Sequence, residues 1–276
     1  MKNKYLILSL LAILCLELSC SNDDDRVTSS EQLGLLKKVE GYLNGDPIEE
    51  TTELVYDERQ RIISIKFSQG NFLSKTYDVN YVDDEISTLS ITVNFLNTGT
   101  NSVEVYDVDD QNGQIVLTST TSEDKYVLTT SDGYIDSFKD YVDLNNDYYY
   151  EAVFVRGNNN NIDTISYFAT TEFDSNLLAW QYTYSGFDSE TALNSAVNPV
   201  FYYSHSFYDP FVGLALNLKI SNEPPLKSSY FDGNGGYREE NITAEILAVD
   251  NDLLKEFGYF IHDLPSNNYR LAFQYY

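Results

Sequence analysis

The sequence is short of the residues from which reactive sites are usually built. It holds two histidines, two cysteines, one methionine and one tryptophan among 276 residues. A zinc site or a catalytic triad needs histidine beside Cys, Asp or Glu at motif spacing. His205 stands among Tyr203, Phe207 and Tyr208, and His262 precedes Asp263, Leu264 and Pro265, so both read as packed or turn residues. Basic residues are scarce as well, 17 against 43 acidic ones, for a formal net charge of −26. Such a field repels phosphate backbones and excludes nucleic acid as a partner. Long apolar runs are missing too. The longest run near the start, Tyr5 to Leu16, falls short of the roughly 20 residues that a membrane-spanning helix needs. It has the length of the apolar core of an export signal, with Lys2 and Lys4 before it.

What is present points to strands. There are 24 tyrosines and 15 phenylalanines, with many Val and Ile, while helical windows rich in alanine and leucine are nearly absent. Hairpins recur along the chain. Leu54 to Tyr56 runs into a polar turn, and Ile63, Ile65 and Phe67 alternate on the return. Period-two alternation means one buried and one wet face. Further units turn at Asp83-Asp84-Glu85, Asn112-Gly113, Asp132-Gly133 and Gly157 to Asn161. Asn-Gly favours a tight hairpin because both residues tolerate positive φ. Tyr56, Tyr81 and Tyr106 lie 25 residues apart, about one hairpin per period. Later, Leu177 to Tyr184, Ile242 to Val249 and Tyr269 to Tyr276 read as strands. Thr191 to Val197 reads as a short helix ending before Pro199. Leu214, Leu216, Leu218 and Ile220 alternate and predict another strand, stopped by Pro224-Pro225. The fold class expected is all-β, a long antiparallel meander of hairpins forming a curved sheet, a roll or a barrel-like body.

The first unit, Tyr56-Asp57 followed by Arg61-Ile62 and Ile65, resembles a YD-type repeat, with Gln60 where that pattern usually has glycine. Residues 33–276 resemble a family of Bacteroidota lipoproteins of unknown function described as having a porin-like β fold. The resemblance rests on the Tyr-Asp hairpins, the Gly157-Asn158 turn with Ile162 and Ile165, Asn198-Pro199, and Tyr259 to Pro265 with Phe273 to Tyr276. It implies a fold and a location, and it carries no catalytic residues.

The chain start adds a second resemblance. Glu17-Leu18-Ser19-Cys20 places a small residue directly before a cysteine and resembles the lipobox of bacterial lipoproteins, although Glu17 stands where an aliphatic residue is usual. Bulky Leu14 makes Cys15 the poorer candidate. The resemblance implies cleavage before Cys20, a diacylglycerol on its thiol and an acylated new amino terminus. Several acyl chains at about 0.8 kcal/mol per buried CH₂ anchor a protein stably, where one is marginal. Ser21, Asn22, Asp23, Asp24 and Asp25 resemble the surface-export signals of Bacteroidota lipoproteins. The organisation expected is a signal peptide over 1–19, an acidic tether over 20–32 and a single all-β domain over 33–276. The part after the signal carries 15 basic and 42 acidic residues, net −27. That balance favours divalent cations.

One constellation suggests a cation. Asp143, Asn145, Asp147 and Glu151 fall at positions 1, 3, 5 and 9 of a calcium-loop spacing, which lets alternate oxygens converge on a hard ion. Tyr148 replaces the glycine expected at position six and Phe154 the acid at position twelve, which excludes an EF-hand. A hairpin-type calcium loop and a plain Asn/Asp turn both stay open. Tyr148-Tyr149-Tyr150 and Phe201-Tyr202-Tyr203 are candidate aromatic platforms for sugars, and Asp163-Thr164-Ile165 resembles a Bacteroidota O-glycosylation site. No motif carries catalysis. The expected function is a structural or interaction lipoprotein, not an enzyme, outer-membrane anchored and cell-surface exposed. Its partners are the membrane, through the lipid, and an envelope protein or a glycan. A surface module binding a glycan or small ligand is the alternative, and a hydrolase built on paired carboxylates the third.

Overall fold

The computed structural model describes residues 34–141, 148–172, 176–187, 209–232, 240–251, 253–261 and 268–276. Gly34–Tyr276 forms one compact unit. Sixteen strands run in chain order: β1 Leu36–Leu43, β2 Asp46–Tyr56, β3 Ile62–Gln69, β4 Leu73–Val82, β5 Glu85–Phe95, β6 Thr100–Asp110, β7 Gln114–Ser119, β8 Lys125–Ser131, β9 Tyr134–Tyr141, β10 Tyr149–Arg156, β11 Ile162–Thr170, β12 Leu177–Phe187, β13 Pro225–Asp232, β14 Glu240–Asp250, β15 Leu253–Ile261 and β16 Asn268–Tyr275. Each pairs antiparallel with its neighbours in sequence, and β1 pairs with β16, so the meander closes into a barrel. Closure leaves no sheet edge to template aggregation. Of the three architectures left open by the sequence, the barrel is the one formed.

The hairpins turn where backbone chemistry allows. Asn112-Gly113 and Asp132-Gly133 occupy positive φ at both central positions, as a two-residue turn matched to strand twist requires. At the first Tyr-Asp turn the Asp57 carboxylate accepts from the backbone N–H of Arg59 and Arg61, each at 2.9 Å. Gln60 sits between them at φ +62°, the left-handed region that explains a glycine in repeats of this pattern.

Strand alternation divides the barrel wall cleanly. One inward row across β2 to β5 is Leu54, Ile65, Tyr77 and Ile91, all buried. The adjacent outward row from β1 to β5 is Lys38, Glu53, Lys66, Thr76 and Thr92. Across β8 to β12 the inward row is Leu128, Phe138, Ala152, Tyr167 and Trp180. The outward row beside it is Thr129, Ser137, Val153, Ser166 and Gln181. The inward side chains merge into one apolar core. At about 1.5–3 kcal/mol per fully buried large apolar side chain, this interior is the main stabilising term. Tyrosine fits such a wall because its ring packs while its hydroxyl reaches the next strand: Tyr81 donates to the Ile62 carbonyl at 3.0 Å and Tyr275 to that of Leu254 at 2.6 Å.

One stretch departs from the expected strand. Pro210–Ala215 is a short helix, α1, capped by Asp209. Proline at the first helical position and a capping aspartate before it set the turn. Leu214, Leu216, Leu218 and Ile220 are indeed buried, but on a helix and a following coil that both lie inside the barrel, so period-two burial here does not mean a strand. From α1 the chain runs to the rim formed by the β8–β9 and β10–β11 turns. The Lys219 N–H donates to the Gly133 carbonyl at 2.9 Å and its carbonyl accepts from Ile135 at 3.0 Å. Asn161 receives Glu223 on both sides, donating to its carboxylate at 2.7 Å and accepting from its N–H at 3.0 Å. The segment 209–224 is an internal plug. The sequence also gave no warning of β15, whose mixed apolar run follows two register shifts in β14.

Candidate functional site

The polar groups that the fold brings together inside the barrel centre on the N-cap of α1. Lys75 and Tyr77 lie on the inward face of β4, two residues apart as alternation demands. The Lys75 ammonium sits 3.1 Å from the Asp209 carboxylate, and the Tyr77 hydroxyl donates to it at 2.7 Å. The same aspartate accepts from the Phe211 N–H at 3.1 Å. Phe211 then packs its ring against Phe67 and Tyr77, with centroids 5.4 and 5.6 Å away. A second group faces this one from β6, β8 and β9: Tyr106, Tyr126 and Asp140. The Tyr126 ring lies 5.2 Å from Tyr106 and 5.3 Å from Phe138, and its hydroxyl hydrogen-bonds that of Tyr106.

Protonation follows burial. Desolvation, then the Asp209 charge, pushes the Tyr77 hydroxyl far above the usual phenol range, and burial does the same to Tyr126. Burial lifts Tyr106 to about 12. Asp140 is pushed up to about 6, first by burial and then by the charges of Asp124 and Asp209. Beside it Phe138, Tyr150, Glu151, Ala152, Tyr167 and Phe168 line a small, partly open recess. The arrangement can exchange a proton near neutral pH at Asp140, while the phenols stay neutral donors. Sequence reasoning passed over Asp140, yet it is two residues beyond inward Phe138, so strand alternation alone puts it on the lumen face.

The residues singled out from sequence distribute differently. Cys20, Ser21, Asn22, Asp23, Asp24 and Asp25 lie outside the described residues. So do Asp143, Asn145 and Asp147 of the calcium spacing, both histidines, Phe201-Tyr202-Tyr203 and the helix expected over 191–197. Glu151 is described and faces outward on β10, 3.6 Å from the Lys139 ammonium. Among the described residues no three His, Cys, Asp or Glu side chains converge as metal ligands. Tyr149 and Tyr150 point to opposite faces of β10, so they build no joint platform. Tyr149 pairs outward with Tyr141, centroids 5.5 Å apart, and Lys139 and Lys125 lie over these two rings at 4.6 and 5.4 Å. Thr164 of the resemblance to an O-glycosylation site stands on β11 opposite Thr183.

No protein-family model and no curated protein matches this chain. Among solved structures it is similar to a porin-like protein from Bacteroides vulgatus ATCC 8482. That pair shares 14% identity over 87% of this chain and 98% of the other, with a TM-score of 0.47. A porin-like protein from Bacteroides uniformis ATCC 8492 is similar at 12% identity, over 88% and 98% of the two chains, with a TM-score of 0.42.

Proposed function

We propose that this chain is a lipid-anchored envelope protein whose barrel stands outside the bilayer as a non-catalytic interaction module. The observation that supports this reading is the polarity of the wall. A barrel that spans a membrane turns apolar residues to the lipid, flanked by aromatic girdles, and keeps a polar lumen. Here the outward rows carry mainly Lys, Glu, Thr and Ser. The inward rows are largely apolar and packed around the polar cluster at Lys75, Asp140 and Asp209, with the buried part of the 209–224 segment inside. Among the described residues, a wall of this polarity does not match a hydrocarbon slab. Membrane attachment then falls to the Cys20 lipid, and surface display to Ser21 through Asp25.

The test is metabolic labelling with palmitate followed by membrane fractionation. The parent protein is expected to take up label and sediment with membranes, and Cys20→Ala to lose both. Retention of label and of membrane association by Cys20→Ala overturns the anchor. Sodium carbonate then separates the two modes of attachment, because lipid-free Cys20→Ala protein that still resists extraction has to be embedded through its barrel. Replacing Asp23, Asp24 and Asp25 by alanine should keep the label and reduce digestion by proteinase K on intact cells.

A further inference from the structure

We infer that the tips of the β3–β4 and β5–β6 hairpins form a second membrane contact, a neutral apolar wedge that rests on zwitterionic lipid. Phe72, Phe95 and Leu96 are 53%, 40% and 51% exposed, large values for such side chains. They belong to one feature, because the Leu96 N–H donates to the Phe72 carbonyl at 3.0 Å and Leu73 pairs with Phe95. The tips are held in shape before any contact: the Phe95 carbonyl accepts from Gly99 at 2.9 Å, and the β3–β4 tip is tied to β2 through Gly70 and the Glu49 carbonyl at 2.8 Å.

Charge is the second observation. Phe67 to Ser74 and Ile86 to Val103 contain no ionisable side chain in a chain that is 22% charged. The acids beside the β3–β4 tip are Glu49, whose carboxylate lies against Gly70, and Glu50, which accepts from the Gln69 side chain at 2.8 Å. Seating these tips in a headgroup layer therefore desolvates almost no charge, and the acidic body disfavours anionic lipid. Area argues against a protein occupant. A stable protein interface needs about 800 Å² and 20–30 residues on each side, far more than three side chains supply. Interfacial binding needs only a modest apolar area carried a few ångströms into the headgroup boundary.

The wedge and the first residue of the unit, Gly34, lie at opposite rims of the up-and-down barrel. Residues 21–33 reach about 45 Å when extended, and the ten residues of β4 about 33 Å. The tether can therefore run the length of the barrel and leave the wedge on the surface. This reach alone rests on the Cys20 anchor of the proposed function. Binding by the lipid-free protein does not.

The test uses the chain from residue 20 carrying Cys20→Ser, which leaves no cysteine. Phe72→Cys, labelled with an environment-sensitive fluorophore, is mixed with phosphatidylcholine vesicles. A blue shift, quenching by bilayer-embedded quenchers and co-sedimentation are expected, weaker with phosphatidylglycerol at low salt. Val155→Cys, at the other rim, should show no shift. Substituting Phe72→Ser, Phe95→Ser and Leu96→Ser together should lower vesicle binding about tenfold with unchanged thermal unfolding. Absence of a shift, an equal shift at Val155→Cys, or undiminished binding by the triple variant overturns the wedge. A shift that grows with protein concentration in the absence of lipid also overturns it, in favour of contact between copies.

Discussion

The Tyr77 hydroxyl donates to the Asp209 carboxylate across 2.7 Å, tying the middle of β4 to the cap of a helix 132 residues later in the chain. Tyr77 is fully buried, so its hydroxyl cannot exchange this bond for one to water, whereas the Asp209 side chain keeps 23% of its surface in contact with solvent. Tyr77→Phe keeps the ring against Phe211 and removes only the donor. It is expected to lower stability by about 1–3 kcal/mol, the range for a buried bond to a charged group. Urea unfolding measures this, and a change under 0.3 kcal/mol would show the plug to be held by packing alone.

Asp140 predicts a pH dependence of the opposite sign to that of most carboxylates. Its native pKa, about 6, lies above the ordinary 3.8. The native state therefore holds the proton more tightly than the unfolded chain does. The stabilisation is fully present below about pH 4 and is lost as pH rises through 6. Asp140→Asn should stabilise the barrel at pH 7 by about 1–2 kcal/mol and flatten this part of the pH profile. Chemical unfolding at pH 5 and pH 8 checks the sign. Equal effects at both values would mean that Asp140 ionises normally.

Gln60 occupies a left-handed position, φ +62°, in the Tyr56-Asp57 turn. A side chain there costs of order 1 kcal/mol that glycine does not incur. Gln60→Gly is expected to raise the melting temperature by about 2–4 °C for a domain of this size. A lower melting temperature would mean that contacts of the Gln60 side chain outweigh the backbone strain.

How much of this was legible depended on whether neighbours in sequence were also neighbours in space. The turns at Asn112-Gly113 and Asp132-Gly133 were readable because positive φ is a local demand. Alternation through Ile65 and Phe67 was readable because the barrel wall is wet on one side and dry on the other, but the register shift opposite Tyr56 puts Ile62 rather than Ile63 into the core. Leu214 to Ile220 misled because its burial does alternate, with Asn217 and Lys219 exposed between buried Leu216, Leu218 and Ile220. A helix end and a coil can alternate as a strand does, and the Asp209-Pro210 start signal was the better guide. The meeting of Lys75, Tyr77 and Asp209 could not be read at all, since it depends on the path of a plug and on no local pattern.

The last prediction concerns the latch at the other end of that plug. Asn161 is almost fully buried and bonds both the Glu223 backbone and its carboxylate. The Ile162 N–H beside it donates to the Ser221 hydroxyl at 3.2 Å, and the Asn222 side chain donates to the Asn159 carbonyl at 2.7 Å. These contacts hold Lys219 in register between Gly133 and Ile135, where trypsin cannot bind it in extended form. Asn161→Ala leaves the Glu223 N–H and carboxylate without the amide that serves both, at an expected cost of about 2–3 kcal/mol. Loss of register should show first as local opening, below the free energy of global unfolding. Native-state proteolysis should therefore cut after Lys219 at least tenfold faster in Asn161→Ala than in the parent, with the strand sites little changed. Equal acceleration at all sites would mean that plug and wall unfold as a single cooperative unit, and that the latch contributes only to global stability.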